Sequence, residues 1–134
     1  MRIMVTGAST PLGTAIVDHL VRARDVELVL AVSGEPRPAA RHDRIIYRST
    51  DLTRARRIRD LLWGDARAHG ITAVVHAMHH RGAHDAGKHV HAQNVDATRE
   101  LVVACGEHPT IRRFVYRSFA EVYAPPRATQ PASA

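Results

Sequence analysis

The chain has 134 residues, 45% hydrophobic and 24% charged, with a formal net charge of +6 and a sequence pI of about 10.6. That length builds one domain with a real core and is too short for two, and the composition excludes a disordered chain. No apolar run is long enough to cross a bilayer, the start shows no secretion signal, and a single cysteine, Cys105, cannot close an internal disulfide, so a reduced cytoplasmic setting with no membrane partner is expected.

The first element is an apolar run, Arg2 to Thr6, that stops at Gly7, crosses a polar turn and restarts with Leu12, Ile16 and Leu20 at helical spacing. Strand, short loop and helix in this order aim the free N–H groups and positive end of the helix at whatever sits above the turn, and a pyrophosphate suits that place. Gly7 permits the sharp turn, Gly13 removes a side chain where the helix lies close, Thr10 is a good N-cap and Pro11 a good first helical residue.

After a first helix predicted over residues 11–23, residues 26–32 have the unbroken Val, Leu and Ala of a strand covered on both faces. A short strand follows at 44–48, then Ser49-Thr50-Asp51-Leu52-Thr53, with Thr53 as an N-cap. A second helix over 54–69 turns Ile58, Leu61 and Leu62 inward, and Gly70 ends it. The fourth strand is Ala73 to Ala77. A His- and Gly-bearing loop leads to a long helix over 85–106 whose inward stripe is Val90, Asn94, Ala97, Leu101 and Ala104 or Cys105. A fifth strand spans 113–117.

Residues 1–123 thus form one domain, and 124–134, rich in Pro and Ala, a tail or linker. Strands alternating with helices predict a doubly wound, Rossmann-like parallel α/β sheet of about five strands ordered 3-2-1-4-5. Its ligand crevice lies between strands one and four, where Gly7–Gly13, His76–His79 and Ser118 converge.

Nearly all the positive charge is arginine, with Lys88 the one lysine. The densest group, Arg54, Arg56, Arg57 and Arg59, sits on one predicted helix, aromatic residues are only 4%, and no nucleic-acid motif accompanies them, which argues against a nucleic-acid partner. His76, His79, His80, His84, His89 and His91 crowd one stretch, but without a His-Glu-x-x-His pattern or a cysteine cluster they read as a polar loop over the cleft rather than a metal site. Such a loop titrates near neutral pH.

Several stretches together resemble the N-terminal half of the extended short-chain dehydrogenase/reductase family, which includes nucleotide-sugar epimerases and dehydratases. They are Thr6 to Gly13, Asp51-Leu52-Thr53, Val74-Val75-His76-Ala77, Asn94 to Thr98, and Phe114 to Tyr123. The resemblance implies a dinucleotide, NAD or NADP, along the strand ends. Gly7, Ser9, Thr10, Pro11, Leu12 and Gly13 would form its pyrophosphate loop, Asp51 and Leu52 would lie beside the adenine, and His76, Ala77 and Met78 would run under the nicotinamide ribose. Asn94 would stand at the active-site side of its helix. An alternative role for Asp51 is to satisfy N–H groups at a helix start, and for Asn94 to be a core amide tied to backbone.

The sequence also departs from that family. Thr10 replaces the middle glycine of the loop, where its hydroxyl could donate to phosphate. Ser33 ends strand two in place of an acidic residue; Glu35 is the nearest carboxylate, whereas Ser33 with Arg37 or Arg41 suits a 2′-phosphate, so NAD and NADP both stay open. Phe119 aligns with the catalytic Ser or Thr, leaving Ser118 as the candidate one place early. The family's Tyr-x-x-x-Lys pair does not occur, since Arg127 stands four residues after Tyr123. A truncated nucleotide-binding domain without catalysis of its own is expected. The alternative is a non-catalytic sensing or protein-interaction module, and strand five, left as an open sheet edge, invites a homodimer or protein partner.

Overall fold

Successive strand residues point to opposite faces, so a strand apolar at every position needs cover on both sides. The computed structural model describes residues 1–35, 42–79 and 87–118. Its strands are β1 (Arg2–Thr6), β2 (Leu28–Ser33), β3 (Ile45–Ser49), β4 (Ala73–His76) and β5 (Arg113–Tyr116). All pair in parallel, in the predicted order β3-β2-β1-β4-β5. Arg37, Arg41, His80, His84, Phe119, Tyr123, Arg127 and the 124–134 tail lie outside the described residues.

Odd-numbered residues of the central strands, Ile3, Val5, Val29, Ala31 and Ala73, pack with Val17 and Val21 beside helix α1 (Pro11–Leu20). Even-numbered Met4, Leu30, Val32 and Val74 pack on the other face. There they meet α2, which is Ala55–Leu61 running into a π-helical turn Leu62–Ala66, and α3, assembled from Lys88–His91, a π-helical turn Ala92–Asp96 and Ala97–Glu107. The Leu62 carbonyl accepts from both the Arg67 N–H and His108 Nε2, the latter at 2.9 Å, and Trp63 packs edge-on against the same imidazole.

Several boundaries differ from expectation for local reasons. Helix α1 stops at Leu20 because Arg44 donates to the carbonyls of Val21, Ala23 and Val26 and so takes over the helix end. Val26 sits in a turn, its N–H on Ala23, so β2 starts at Leu28 and runs on until Ser33 pairs with Ser49. The buried row of α1 is Gly13, Val17 and Val21 rather than Leu12, Ile16 and Leu20. Leu12 stays 38% exposed, because the helix approaches along its glycine.

Arg54 rather than Thr53 takes the N-cap position of α2, because the Thr53 hydroxyl is held by Asp51. In α3 the inward stripe begins at Ala97, and Val90 and Asn94 are only half-buried. Among the described residues strand β5 pairs only with β4, and its Val115 and Tyr116 are 55% and 42% exposed. No helix among the described residues is long and apolar enough to cross a membrane.

Candidate functional site

The turn from β1 into α1 is closed by a threonine and two glycines. Thr10 Oγ1 accepts the Gly13 N–H at 3.0 Å and donates to the Gly7 carbonyl at 2.8 Å, while Pro11 takes the first helical position. The expectation that this hydroxyl donates to a phosphate is therefore corrected: its one proton is already on Gly7. Gly7 has φ +73°, and a Cβ there would stand 2.6 Å from both N and Cα of Met78. A Cβ on Gly13 would stand 2.0 Å from the Gly7 carbonyl oxygen. Both positions exclude a side chain on packing grounds, and Gly7 on conformational grounds as well.

Above this turn opens a cavity of about 460 Å³ at the C-terminal ends of the strands, the place where parallel α/β sheets bind ligands. Gly7, Ser9 and Thr10 line one side, Gly34 and Glu35 another, and residues 50–53 a third. Met78, His79, His89 and Gln93 complete the wall. The structure thus gathers Gly7, Ser9, Thr10, Asp51, Leu52 and Met78 from the sequence-predicted set.

The others stand apart from this lining. Pro11 and Leu12 are exposed on the first turn of α1, while Gly13 and Ala77 are buried. Ser33 is 8% exposed and its hydroxyl donates to the Glu35 carbonyl at 2.5 Å, closing the turn after β2. Glu35 lines the cavity in its place. Asn94 is half-buried, with its carbonyl bonded by Thr98; Gln93 and His89 are the lining residues of α3. Ser118 is exposed and does not line the cavity.

His76 is the largest departure. Its side chain is fully buried, Nδ1 lies 2.5 Å from Thr6 Oγ1, and Nε2 lies 2.9 Å from Thr98 Oγ1. The imidazole therefore faces the core instead of a ribose, and burial pushes its pKa down to about 4, away from the neutral-pH titration expected of the histidine stretch.

Asp51 Oδ1 accepts the Thr53 hydroxyl at 2.6 Å and the Thr53 N–H at 3.0 Å, and Oδ2 meets Arg54 Nε at 3.2 Å. The Thr53 hydroxyl bond, then the Thr53 amide, hold this carboxyl below its ordinary range. The helix-start role weighed for Asp51 is thus real, and the residue also lines the cavity. Among the described residues no cluster of metal-ligating side chains occurs.

The two glycines let the β1–α1 turn pack closely, Gly7 against the backbone after β4 and Gly13 against Gly7 itself, and this holds the turn at the cavity edge. Solved structures share the fold. A short-chain dehydrogenase/reductase superfamily protein from Agrobacterium tumefaciens with bound NAD superposes with TM-score 0.73 at 26% identity, over 92% of this chain and 34% of that one. UDP-glucuronic acid 4-epimerase from Bacillus cereus in complex with NAD gives 0.72 at 21% identity, over 93% and 42%. Uronate dehydrogenase from A. tumefaciens gives 0.70 at 20%, over 87% and 40%. The chain therefore spans less than half the length of these proteins. No individually curated protein matches it significantly. The NAD-dependent epimerase/dehydratase family matches residues 3–134, and the chain belongs to that family.

Proposed function

We propose that the domain binds a dinucleotide in the strand-end cavity, with NAD preferred over NADP. The observation that carries this reading is the cavity at the strand ends, lined by Gly7, Ser9 and Thr10 of the β1–α1 turn and by Asp51 and Leu52 after β3. Gly7, Ser9 and Thr10 would hold the pyrophosphate against the start of α1, and Asp51 and Leu52 would flank the adenine. When bound, the nicotinamide supplies hydride acceptance or donation. The chain's own residues bind and orient it. The NAD preference rests on Glu35, a carboxylate suited to ribose hydroxyls and repelled by a 2′-phosphate. Arg54 is engaged by Asp51 at 3.2 Å, and Arg57 lines a neighbouring cavity shared with Gly34, Thr50 and Asp51.

Proton transfer to or from a substrate hydroxyl needs a tuned acid or base in reach of the cavity. Ser118, the catalytic candidate, does not line it; the role proposed for this chain is cofactor binding. Calorimetric titration with NAD and NADP tests the reading. NAD should bind and NADP bind more weakly, and Glu35→Arg should reverse that order; absence of binding by both refutes it.

A second reading, a protein-interaction module, is favoured by the exposed β5 edge. Arg112, Arg113 and Arg117 flank Phe114, Val115 and Tyr116 there, a charge pattern that opposes self-pairing and suits an acidic partner strand. Light scattering of the free chain should then show a monomer.

A further inference from the structure

Strand β2 ends in a turn that is closed by one hydroxyl. Ser33 is fixed on the strand side: it pairs with Ser49, its carbonyl accepts the Thr50 N–H at 2.8 Å, and the Val32 carbonyl before it accepts the Ala8 N–H at 3.0 Å. The residue is buried, and its hydroxyl donates to the Glu35 carbonyl at 2.5 Å. A serine hydroxyl has one proton. That proton is used within the turn, so Ser33 has none to offer a 2′-phosphate, the role weighed for it with Arg37 or Arg41.

Beyond Ser33 the chain leaves the sheet. A Cβ on Gly34 would meet no atom within 4 Å, so no packing on that side locates the middle of the turn. Glu35 is exposed, and among the described residues the Ser33 hydroxyl is the only group hydrogen-bonded to it. Gly34 and Glu35 nevertheless both line the cavity that Ser9, Thr10 and Asp51 also line, and Ser33 does not. The carboxylate proposed to read the ribose thus stands on a segment tied to the sheet by a buried side chain outside the site.

We propose that Ser33 is a positioning residue for Glu35. By holding the Glu35 carbonyl to the end of β2, its hydroxyl keeps the Glu35 carboxylate at the cavity and so sets the preference for a dinucleotide with a free ribose 2′-hydroxyl over one with a 2′-phosphate. This selectivity role rests on the dinucleotide reading above; the bond that places Glu35 does not.

Calorimetric titration of the full chain with NAD and NADP tests it, in wild type, Ser33→Ala, Ser33→Thr, Glu35→Gln and the Ser33→Ala, Glu35→Gln double variant. Preference is read as the NADP dissociation constant divided by that for NAD. Ser33→Ala should lower it about fivefold, the factor that one hydrogen bond of ordinary strength represents. Ser33→Thr keeps the hydroxyl and should restore it. In the Glu35→Gln background, Ser33→Ala should change the preference no further, because the carboxylate it positions is gone. A merely structural role would lower the melting temperature and weaken both cofactors alike. That result overturns the proposal, as does a wild type without preference, an unchanged preference in Ser33→Ala, or an equal fall with and without Glu35. If the wild type binds neither cofactor, the nucleotide reading falls and ¹⁵N relaxation decides the placement. The order parameter of the Glu35 amide should then drop in Ser33→Ala and recover in Ser33→Thr, and an unchanged value overturns the positioning role. Should Ser33→Ala not fold, Ser33→Cys takes its place in each comparison, since a thiol is a weak donor.

Discussion

Replacing His76 by glutamine retains an amide that can donate and accept between Thr6 and Thr98 but removes the titrating proton. Comparing the two proteins across pH isolates what the buried imidazole contributes. In the unfolded chain the ring titrates near its ordinary value of 6.5, whereas burial lowers it to about 4 in the fold. The unfolded state therefore binds the proton first as pH falls, and stability decreases on acidification. The contribution is fully present above the unfolded value and is lost progressively toward the folded one. At 1.36 kcal/mol per pKa unit, the interval corresponds to about 3 kcal/mol, of which about 2 kcal/mol should be lost between pH 6.5 and 5. The upper part of the window is the informative one. The lowered carboxyls of Asp51 and Glu27 add their own acid sensitivity only around and below their ordinary values of 3.8 and 4.5. Urea unfolding at half-unit pH steps gives the slope directly. Wild-type stability that is flat between pH 6.5 and 5, or a His76→Gln protein with the same slope, would refute the assignment of a neutral buried imidazole.

Other consequences of the packing are equally direct. Gly13→Ala would drive a Cβ to 2.0 Å from the Gly7 carbonyl oxygen, a backbone atom that no side-chain rotation relieves. Overpacking of this kind costs about 1–3 kcal/mol, and a urea midpoint equal to wild type would show that the helix does not lie where described. Thr10→Ala removes both the N-cap acceptor for Gly13 and the bond to Gly7, and should lower stability by about 1 kcal/mol, read as a melting shift of several degrees. The Cys105 thiol is 5% exposed, and burial pushes its pKa up to about 12. It should resist an aromatic disulfide reagent in the folded protein and react fully in denaturant; rapid reaction under native conditions would contradict its place in the core.

Much of the architecture was legible because its causes are local or periodic. Unbroken apolar runs such as residues 28–32 need cover on both faces, and strands alternating with helices allow few topologies, so the strand order follows. Thr10 with Pro11 marks a helix start wherever it stands, and the structure uses it as one. Details that depend on approach direction were not legible. A helical wheel cannot tell whether Leu12 or Gly13 faces the sheet, because both lie near the apolar stripe and only the close contact with Gly7 decides. Likewise Ser33 and Glu35, or Gln93 and Asn94, are neighbours in sequence whose exchange at the cavity depends on how the chain turns after β2 and how α3 is rotated.

By itself, then, the sequence determined the parallel α/β class, the strand order, the glycine-bearing turn and the end of the sheet where a cavity opens. These follow from chain-local backbone preference and hydrophobic periodicity. Only the tertiary structure decided that Thr10 spends its proton on Gly7, that Glu35 replaces Ser33 at the cavity, and that His76 faces inward between two threonines. The partners of these polar groups come from remote parts of the chain or from a particular loop path, and a hydrogen bond between Thr6 and His76, 70 residues apart, has no signature in local sequence.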